Sequence, residues 1–167
     1  MKTRSFGFAI ALAVFILDQL AKWFVTESLH LDLVGQIYVL PIFNFTWVEN
    51  IGISLGLLNA TNPVGRWMLV AVTTAIAVGV AVWIGRERLR WDQAALGMIL
   101  GGALGNILDR VRHGYVTDFL DLHFGAFRPF LVCNVGDAAI SIGVAILLLR
   151  ALLMRSETAP KESVENA

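Results

Sequence analysis

The sequence predicts an all-α membrane bundle of four transmembrane helices, and three observations point to it. Hydrophobic residues make up 57% of the 167 residues, whereas soluble domains contain roughly 45–50%. The mean hydropathy is +0.70. The apolar residues also cluster in four long stretches separated by short polar segments. A stretch of about 20 apolar residues can cross the hydrocarbon core, where a helix satisfies its own backbone hydrogen bonds.

The helices are predicted at about 6–25, 67–84, 91–111 and 131–152. The first one follows Lys2 and Arg4 and could pass for a signal peptide. Its apolar run is too long for that, it carries Asp18 and Lys22, and no small-residue cleavage site follows it. We therefore interpret it as a retained transmembrane helix.

The basic residues predict that both termini are cytoplasmic. In that orientation eight of the 13 Lys and Arg residues lie on the cytoplasmic side, including the cluster at 86–90. Positions 1–155 are expected to form a single integral membrane domain. The polar segment 156–167 is expected to be a disordered cytoplasmic tail.

The two outer connections have aromatic character. In the first, Phe43, Phe45 and Trp47 alternate with Asn44 and Thr46, which predicts a short strand with an aromatic face at the headgroup level. The second connection, 112–130, is rich in Phe and is interpreted as an interfacial loop.

Several functional classes find no support in the composition. The formal net charge is zero, so we expect no nucleic-acid partner. Cys133 is the single cysteine, so no intramolecular disulfide can form. No H-E-x-x-H motif or Cys/His cluster predicts a metal site. The match of 52–56 to G-x-S-x-G is interpreted as chance, because a nucleophilic Ser54 would need an α/β sheet and a histidine partner.

Acidic residues at membrane depth are costly and usually functional. Asp137 is predicted about two turns inside the fourth helix, and Asp118 lies in the preceding loop. If the chain folds back, the two carboxylates meet near the outer surface and share one proton, an arrangement that suits peptide hydrolysis. Spacing alone leaves alternatives open: a helix cap or an arginine pair for Asp137, and a turn for Asp118.

Polar residues near these acids have two interpretations each. Asn134 either orients a carboxylate or forms a bond between helices. Asn106 and Arg110 share a face of the third helix, and Arg110 either stabilises an aspartate or reaches a lipid phosphate. Asp109 either pairs with Arg112 or has no capping role at the end of the helix.

Two further groups of residues suggest structural roles. Asp18 and Lys22 are four residues apart on the first helix and are expected to pair. Asn50 either forms a turn or lines a site. A stripe of glycines in the third helix, Gly97, Gly101 and Gly105, predicts close helix packing.

Together these residues resemble the signal peptidase II family. Five blocks occur in the family's order, namely Asp18-Gln-Leu-Ala-Lys22, Asn50-Ile-Gly-Ile-Ser54, Gly101-Gly-Ala-Leu-Gly-Asn-Ile-Leu-Asp-Arg110, Val116-Thr-Asp-Phe119 and Asn134-Val-Gly-Asp137. The last block departs from the family pattern, because Cys133 replaces Phe and Gly136 replaces Ala. Cys133 is interpreted as a small apolar filler.

The resemblance implies an aspartic endopeptidase of the bacterial inner membrane, with its active site near the outer face. A small extracytoplasmic β-domain at about 34–58 and a mobile loop would cover the site. The substrates would be diacylglyceryl-modified prolipoproteins, cut before the lipidated cysteine, with Asp118 and Asp137 as the catalytic pair. The supporting residues would be Asn50, Asn106, Arg110, Asn134, Asp18 and Lys22. The family needs no metal or organic cofactor, and we expect a monomer in contact with membrane lipid.

Three other functions remain as alternatives. The main one is a small proton-coupled transporter that uses Asp18, Asp118 and Asp137 as a relay. The others are a non-catalytic assembly subunit that uses the glycine stripe and a serine peptidase that uses Ser54.

Overall fold

Four long helices and a three-stranded sheet form the protein in the computed structural model, which describes residues 4–52, 63–125 and 127–157. The helices are α1 (Arg4–Trp23), which continues into a π-helical turn (Phe24–Ser28), the short α2 (Leu31–Val34), α3 (Pro63–Arg86), α4 (Arg90–Arg112) and α5 (Val135–Glu157). The strands are β1 (Gln36–Leu40), β2 (Phe43–Asn50) and β3 (Val116–Leu122).

The described residues include four spans that are long and apolar enough to cross a membrane: Ser5–Ser28, Pro63–Arg86, Arg90–Arg112 and Val135–Leu153. The protein is therefore a multi-pass membrane protein, and the predicted fold class is confirmed. In the most apolar stretch of α4 half of the residues are buried, whereas the buried share in the other three spans is 17–22%. The other helices thus pack around α4.

The glycine stripe explains how α4 occupies the centre. A Cβ atom at Gly97 or Gly101 would overlap backbone carbonyl oxygens of α1. One at Gly102 would overlap the carbonyl oxygen of Gly136 in α5. The prediction of close packing is confirmed, because only glycine lets these backbones approach so closely.

Two helices begin four residues away from their predicted starts. α3 begins at Pro63 rather than at Trp67, and proline suits a first helical position. α5 begins at Val135 rather than near Leu131, because Asn134 caps it and ends the preceding non-helical segment. Asp137 therefore lies in the first turn of α5 and not two turns inside it.

The other end of α5 also differs from the prediction. The helix continues to Glu157, so the predicted tail, 156–167, overlaps its last turn. Positions 158–167 lie outside the described residues.

The sheet draws strands from both outer connections. Its order is β1-β2-β3, with both pairs antiparallel. β2 confirms the predicted strand. β3 lies within the segment interpreted as an interfacial loop. The strand was not predicted because it contains two aspartates, and Asp is depleted in strands. Positions 53–58 of the predicted β-region lie outside the described residues.

The aromatic face of β2 packs against the ends of the helices. The rings of Phe45 and Phe119 meet edge to face with centroids 5.9 Å apart. Phe45 and Trp47 also pack against a buried cluster of Val25, Leu31 and Phe119. This buried apolar cluster fixes the sheet on the ends of the helices.

Candidate active site

Buried polar side chains gather where the sheet meets the ends of α1, α4 and α5. They include Asp18, Lys22, Asn106, Asp109, Thr117, Asp118 and Asn134, none more than 9% exposed. Burying such groups costs free energy unless each finds a partner. Their mutual hydrogen bonds therefore define the architecture of this region.

Strand pairing positions Asp118. This residue lies in β3 opposite Val48 of β2 and is 1% exposed. Asn50, two residues beyond Val48, faces the same side of the sheet. Its Nδ2 donates to Oδ2 of Asp118 at 3.0 Å. The sheet register thus supplies both the carboxylate and one of its donors.

A helix cap positions Asp137. Its backbone N–H donates to Oδ1 of Asn134 at 2.8 Å, and its Oδ2 lies 3.4 Å from the backbone nitrogen of Asn134. This reciprocal pattern is that of a capping box. Its Oδ1 accepts a bond from Nδ2 of Asn106 at 2.7 Å. Asp137 is therefore both a capping residue and a member of the polar cluster, and it is only partly buried.

Asn134 connects the two acids. Its Nδ2 donates to Oδ1 of Asp118 at 2.6 Å and to Oδ1 of Asn106 at 3.2 Å. Because its own Oδ1 must accept from the start of α5, its amide has one allowed orientation. The structure thus brings Asp118 and Asp137, which lie on separate elements, to the same fully buried asparagine.

The proton affinity of Asp118 reflects this environment. Burial, and secondarily the negative charge of Asp137, raise the pKa of Asp118 to about 6. The bonds from Asn50 and Asn134 and the charge of Lys22 act in the opposite direction. Asp137 is therefore close enough for its charge to act on Asp118.

Lys22 contacts Asn106, which in turn bonds Asp137, and it is 6% exposed. Its Nζ lies 2.8 Å from Oδ2 of Asp18, 2.8 Å from Oδ2 of Asp109 and 3.1 Å from Oδ1 of Asn106. The three ammonium protons thus have three acceptors. The expected pairing of Asp18 with Lys22 is confirmed.

Asp109 has a partner that the sequence did not indicate. The predicted pairing with Arg112 is wrong, because Asp109 turns inward to Lys22. It also accepts bonds from the N–H of Thr117 at 3.3 Å and from Nε2 of Gln19 at 3.0 Å. No role was predicted for Gln19. The available signal was its place beside Asp18 in the first family block.

Asp18 joins three helices. Its Oδ1 accepts the N–H of Gly136 at 2.8 Å, and a Cβ atom at Gly105 would overlap its Oδ2. A Cβ atom at Gly136 would lie 3.0 Å from the carbonyl oxygen of Gly102 and 3.1 Å from Oδ1 of Asn134. Glycine at 136 therefore suits the close contact of α4 and α5.

Arg110 and Cys133 border the acids. Arg110 is partly buried, and its charge acts on Asp137, Asp118 and Asp109. Its Nε is buried without a hydrogen-bond partner among the described residues. Burial and the two acids raise the pKa of Cys133 to about 11, so this thiol is a poor nucleophile at neutral pH. Ser54 lies outside the described residues.

Comparisons with known proteins agree on one family. Residues 10–153 match the family model for signal peptidase (SPase) II. The chain is 51% identical over 162 residues to the lipoprotein signal peptidase of Rhizorhabdus wittichii, with 97% of this chain and 94% of that protein covered. It is 54% identical over 149 residues to that of Sphingopyxis alaskensis, with 89% and 86% covered. A solved bacterial membrane enzyme, determined by the in meso method at 2.3 Å resolution, superposes with a TM-score of 0.77 at 27% identity, covering 93% of each chain.

Proposed function

The chain belongs to the signal peptidase II family of membrane peptidases, and on that premise we propose that Asp118 and Asp137 catalyse its cleavage of prolipoproteins. The proposed substrates carry a diacylglyceryl group on a cysteine, and the bond cut is the one just before that cysteine. The observation that carries the proposal is the bridge through Asn134, which bonds Asp118 with its side chain and caps the turn that holds Asp137.

In the proposed reaction the pair begins with one proton. The ionised member removes a proton from water, and the water oxygen attacks the carbonyl carbon of the scissile peptide bond. The protonated member donates a hydrogen bond to the carbonyl oxygen. The pair then passes the proton taken from water to the leaving amine as the C–N bond breaks. The pair ends with one proton, as it began. The raised pKa of Asp118 favours this residue as the protonated member.

The surrounding residues orient the pair. Lys22 donates to Oδ1 of Asn106, which fixes that amide so that its Nδ2 faces Asp137. Asn50 and Asn134 likewise hold Asp118. These fixed donors keep the carboxylates in position without reorganisation during the reaction. The charge of Arg110, close to both acids, is available to a developing oxyanion or to a substrate carbonyl.

The membrane setting suits this substrate. We propose that the protein lies in the bacterial inner membrane with both termini cytoplasmic and with the sheet end of the bundle at the outer face. The lipid tails of the substrate then stay in the bilayer while the scissile bond lies at the interface. Because the polar cluster draws on α1, β2, α4, β3 and α5, the helices and the sheet act as one catalytic unit.

The transporter alternative is not favoured. The related proteins are peptidases, and the acids of the polar cluster lie together at the sheet end of the bundle. At the other end of α4, Asp92 is ion-paired with Arg150 at 2.8 Å. Within the described residues, such a distribution offers no series of acids from one side of the membrane to the other.

The test is cleavage of a synthetic precursor by purified protein in detergent micelles. Asp118→Asn and Asp137→Asn should each abolish cleavage while the protein stays folded. Asp121→Asn is the matched control, because Asp121 is a buried acid of the same strand that bonds Arg128 at 3.0 Å rather than the pair. Near-normal turnover by either Asp118→Asn or Asp137→Asn would refute the catalytic pair.

Two further measurements test the substrate assignment. Mass spectrometry of the products should show a new N-terminus at the lipid-bearing cysteine. An otherwise identical peptide with an unmodified cysteine should be cut far more slowly. Equal cleavage of the two peptides would refute the assignment of lipidated precursors while leaving the catalytic pair in place.

A further inference from the structure

A cleft of about 400 Å³ lies between the ends of α1 and α4. Its lining includes an apolar group, Ile16, Leu20 and Trp23, and a polar group, Thr26, Glu27 and Arg112. Neither Asp118 nor Asp137 lines it. The proposed reaction uses none of these six side chains.

The cleft is continuous with the lipid-facing surface of α1. Ile16, Leu20 and Trp23 are 47%, 56% and 59% exposed, and all three lie in the span Ser5–Ser28. The polar lining lies at the ends of two spans, which finish at Ser28 and at Arg112. The apolar wall therefore faces acyl chains while the charged wall lies at the level of the headgroups.

The charges in the cleft complement a zwitterion. Glu27 and Arg112 are both exposed, and neither forms an ion pair with a residue that the structure describes. The neighbouring His113 also lines the cleft. An arginine at the end of a span is suited to a phosphate, and a carboxylate in the same cleft is suited to an ammonium group.

We propose that this cleft binds one zwitterionic phospholipid with a primary ammonium headgroup, such as phosphatidylethanolamine. The phosphate lies at Arg112 and His113, the ammonium group lies at Glu27, and one acyl chain follows Leu20 and Ile16. The diacylglyceryl group of a precursor has neither a phosphate nor an amine, so it carries no group that would pair with these charges.

Lys22 and Asp109 connect this cleft to the rest of the protein. Both line it, and both are almost fully buried, at 6% and 3% exposed. A lipid seated there keeps water from their ion pair, which joins α1 to α4. Binding should therefore raise the melting temperature, because a ligand that binds only the folded state stabilises it.

The experiment is native mass spectrometry of the purified protein with equal amounts of phosphatidylethanolamine and phosphatidylglycerol. The wild type should retain one phosphatidylethanolamine in preference. Arg112→Gln should weaken retention of both lipids by about tenfold, as expected for loss of a charge-assisted bond. Glu27→Gln should abolish the preference between the lipids. Arg86→Gln, which removes the same charge at the other end of the bundle, should leave retention unchanged.

A second measurement locates the lipid and excludes a simple anion site. The contribution of Trp23 to the fluorescence is the difference in tryptophan emission between the wild type and Trp23→Phe. Phospholipid brominated on its acyl chain should quench this contribution. Inorganic phosphate alone should not raise the melting temperature. Equal retention of the two lipids by wild type, retention unaffected by Arg112→Gln, or stabilisation by inorganic phosphate would each overturn the proposal. None of these readouts depends on peptide cleavage, so the proposed function is tested separately.

Discussion

Nδ2 of Asn134 lies 2.6 Å from Oδ1 of Asp118, and this hydrogen bond joins strand β3 to the start of helix α5. The same side chain uses its Oδ1 to cap the turn that carries Asp137. One asparagine thus bonds the side chain of Asp118 and caps the turn that holds Asp137. Its two functions, capping and donation, can be separated by substitution.

Asn134→Ser should keep the cap but lose the bond to Asp118, because serine caps helices well with a shorter side chain. Asn134→Ala should lose both and be less stable than the serine variant by about 1 kcal/mol. For both variants kcat should fall by about tenfold or more, as expected when a buried bond to a charged group is lost. Melting curves and kcat measurements test this, and a serine variant with native kcat would contradict it.

Lys22→Met should destabilise the protein strongly. It leaves Asp18 and Asp109 buried without their counter-ion, and breaking a buried pair in this way costs about 3–5 kcal/mol. Adding Asp18→Asn and Asp109→Asn should restore part of the melting temperature, because the uncompensated charges are then gone. If Lys22→Met alone melts like the wild type, the ammonium does not hold α1 to α4.

Gly105→Ala and Gly79→Ala should change stability in opposite directions. A Cβ atom at Gly105 would overlap Oδ2 of Asp18, and such overpacking costs about 1–3 kcal/mol. A Cβ atom at Gly79 meets nothing within 4 Å, so alanine should stabilise α3 by about 0.5–1 kcal/mol. Thermal unfolding of both variants in the same detergent tests this. Equal tolerance at the two positions would mean that Asp18 has room to move.

Asp118→Asn should stabilise the protein increasingly as the pH rises. The pKa of Asp118 is raised from 3.8 to about 6, so its ionisation lowers the free energy of unfolding progressively between about pH 4 and pH 6 and leaves it lower above that range. At about 1.4 kcal/mol per pKa unit, the variant gains on the order of 3 kcal/mol relative to wild type across this range. Melting temperatures measured from pH 4 to pH 8 test the slope.

Asp121→Asn provides the opposite slope in the same strand. Arg128 holds the pKa of Asp121 below its ordinary value, so this acid contributes stability that is present at neutral pH and is lost on acidification. The deficit of the Asp121→Asn variant should therefore shrink as the pH falls. If both variants show the same pH dependence, Asp118 is not the acid with the raised pKa.

Hydropathy was sufficient to predict four helices, because the bilayer imposes a length and a composition on every span. The boundaries were harder to predict. The residues Leu131–Cys133 are apolar enough to extend α5, yet the backbone of Cys133 pairs with Leu120 of β3. Hydropathy does not register such a competing partner. The same limitation hid β3, whose pairing with β2 outweighs the low strand preference of its aspartates.

The local sequence predicted pairs of side chains that are close in the chain, but it did not predict pairs that are distant in the chain. Asp18 and Lys22 are one helical turn apart, so their pairing followed from helical periodicity. The attachment of Lys22 to Asp109 and Asn106 crosses from α1 to α4, and no local pattern encodes it. Asp109 was accordingly given the wrong partner.

Four membrane spans, and acids within them, could be predicted from the sequence alone, because both are properties of composition along the chain. Which polar groups meet depends instead on how the helices and strands pack. The register of β2 on β3 places Asn50 beside Asp118, the cap of α5 turns Asn134 toward the same carboxylate, and the glycines of α4 bring the helices close enough for Lys22 to reach Asn106. Hydrogen bonds act over about 3 Å, so their partners are set by how the elements pack and not by their separation along the chain.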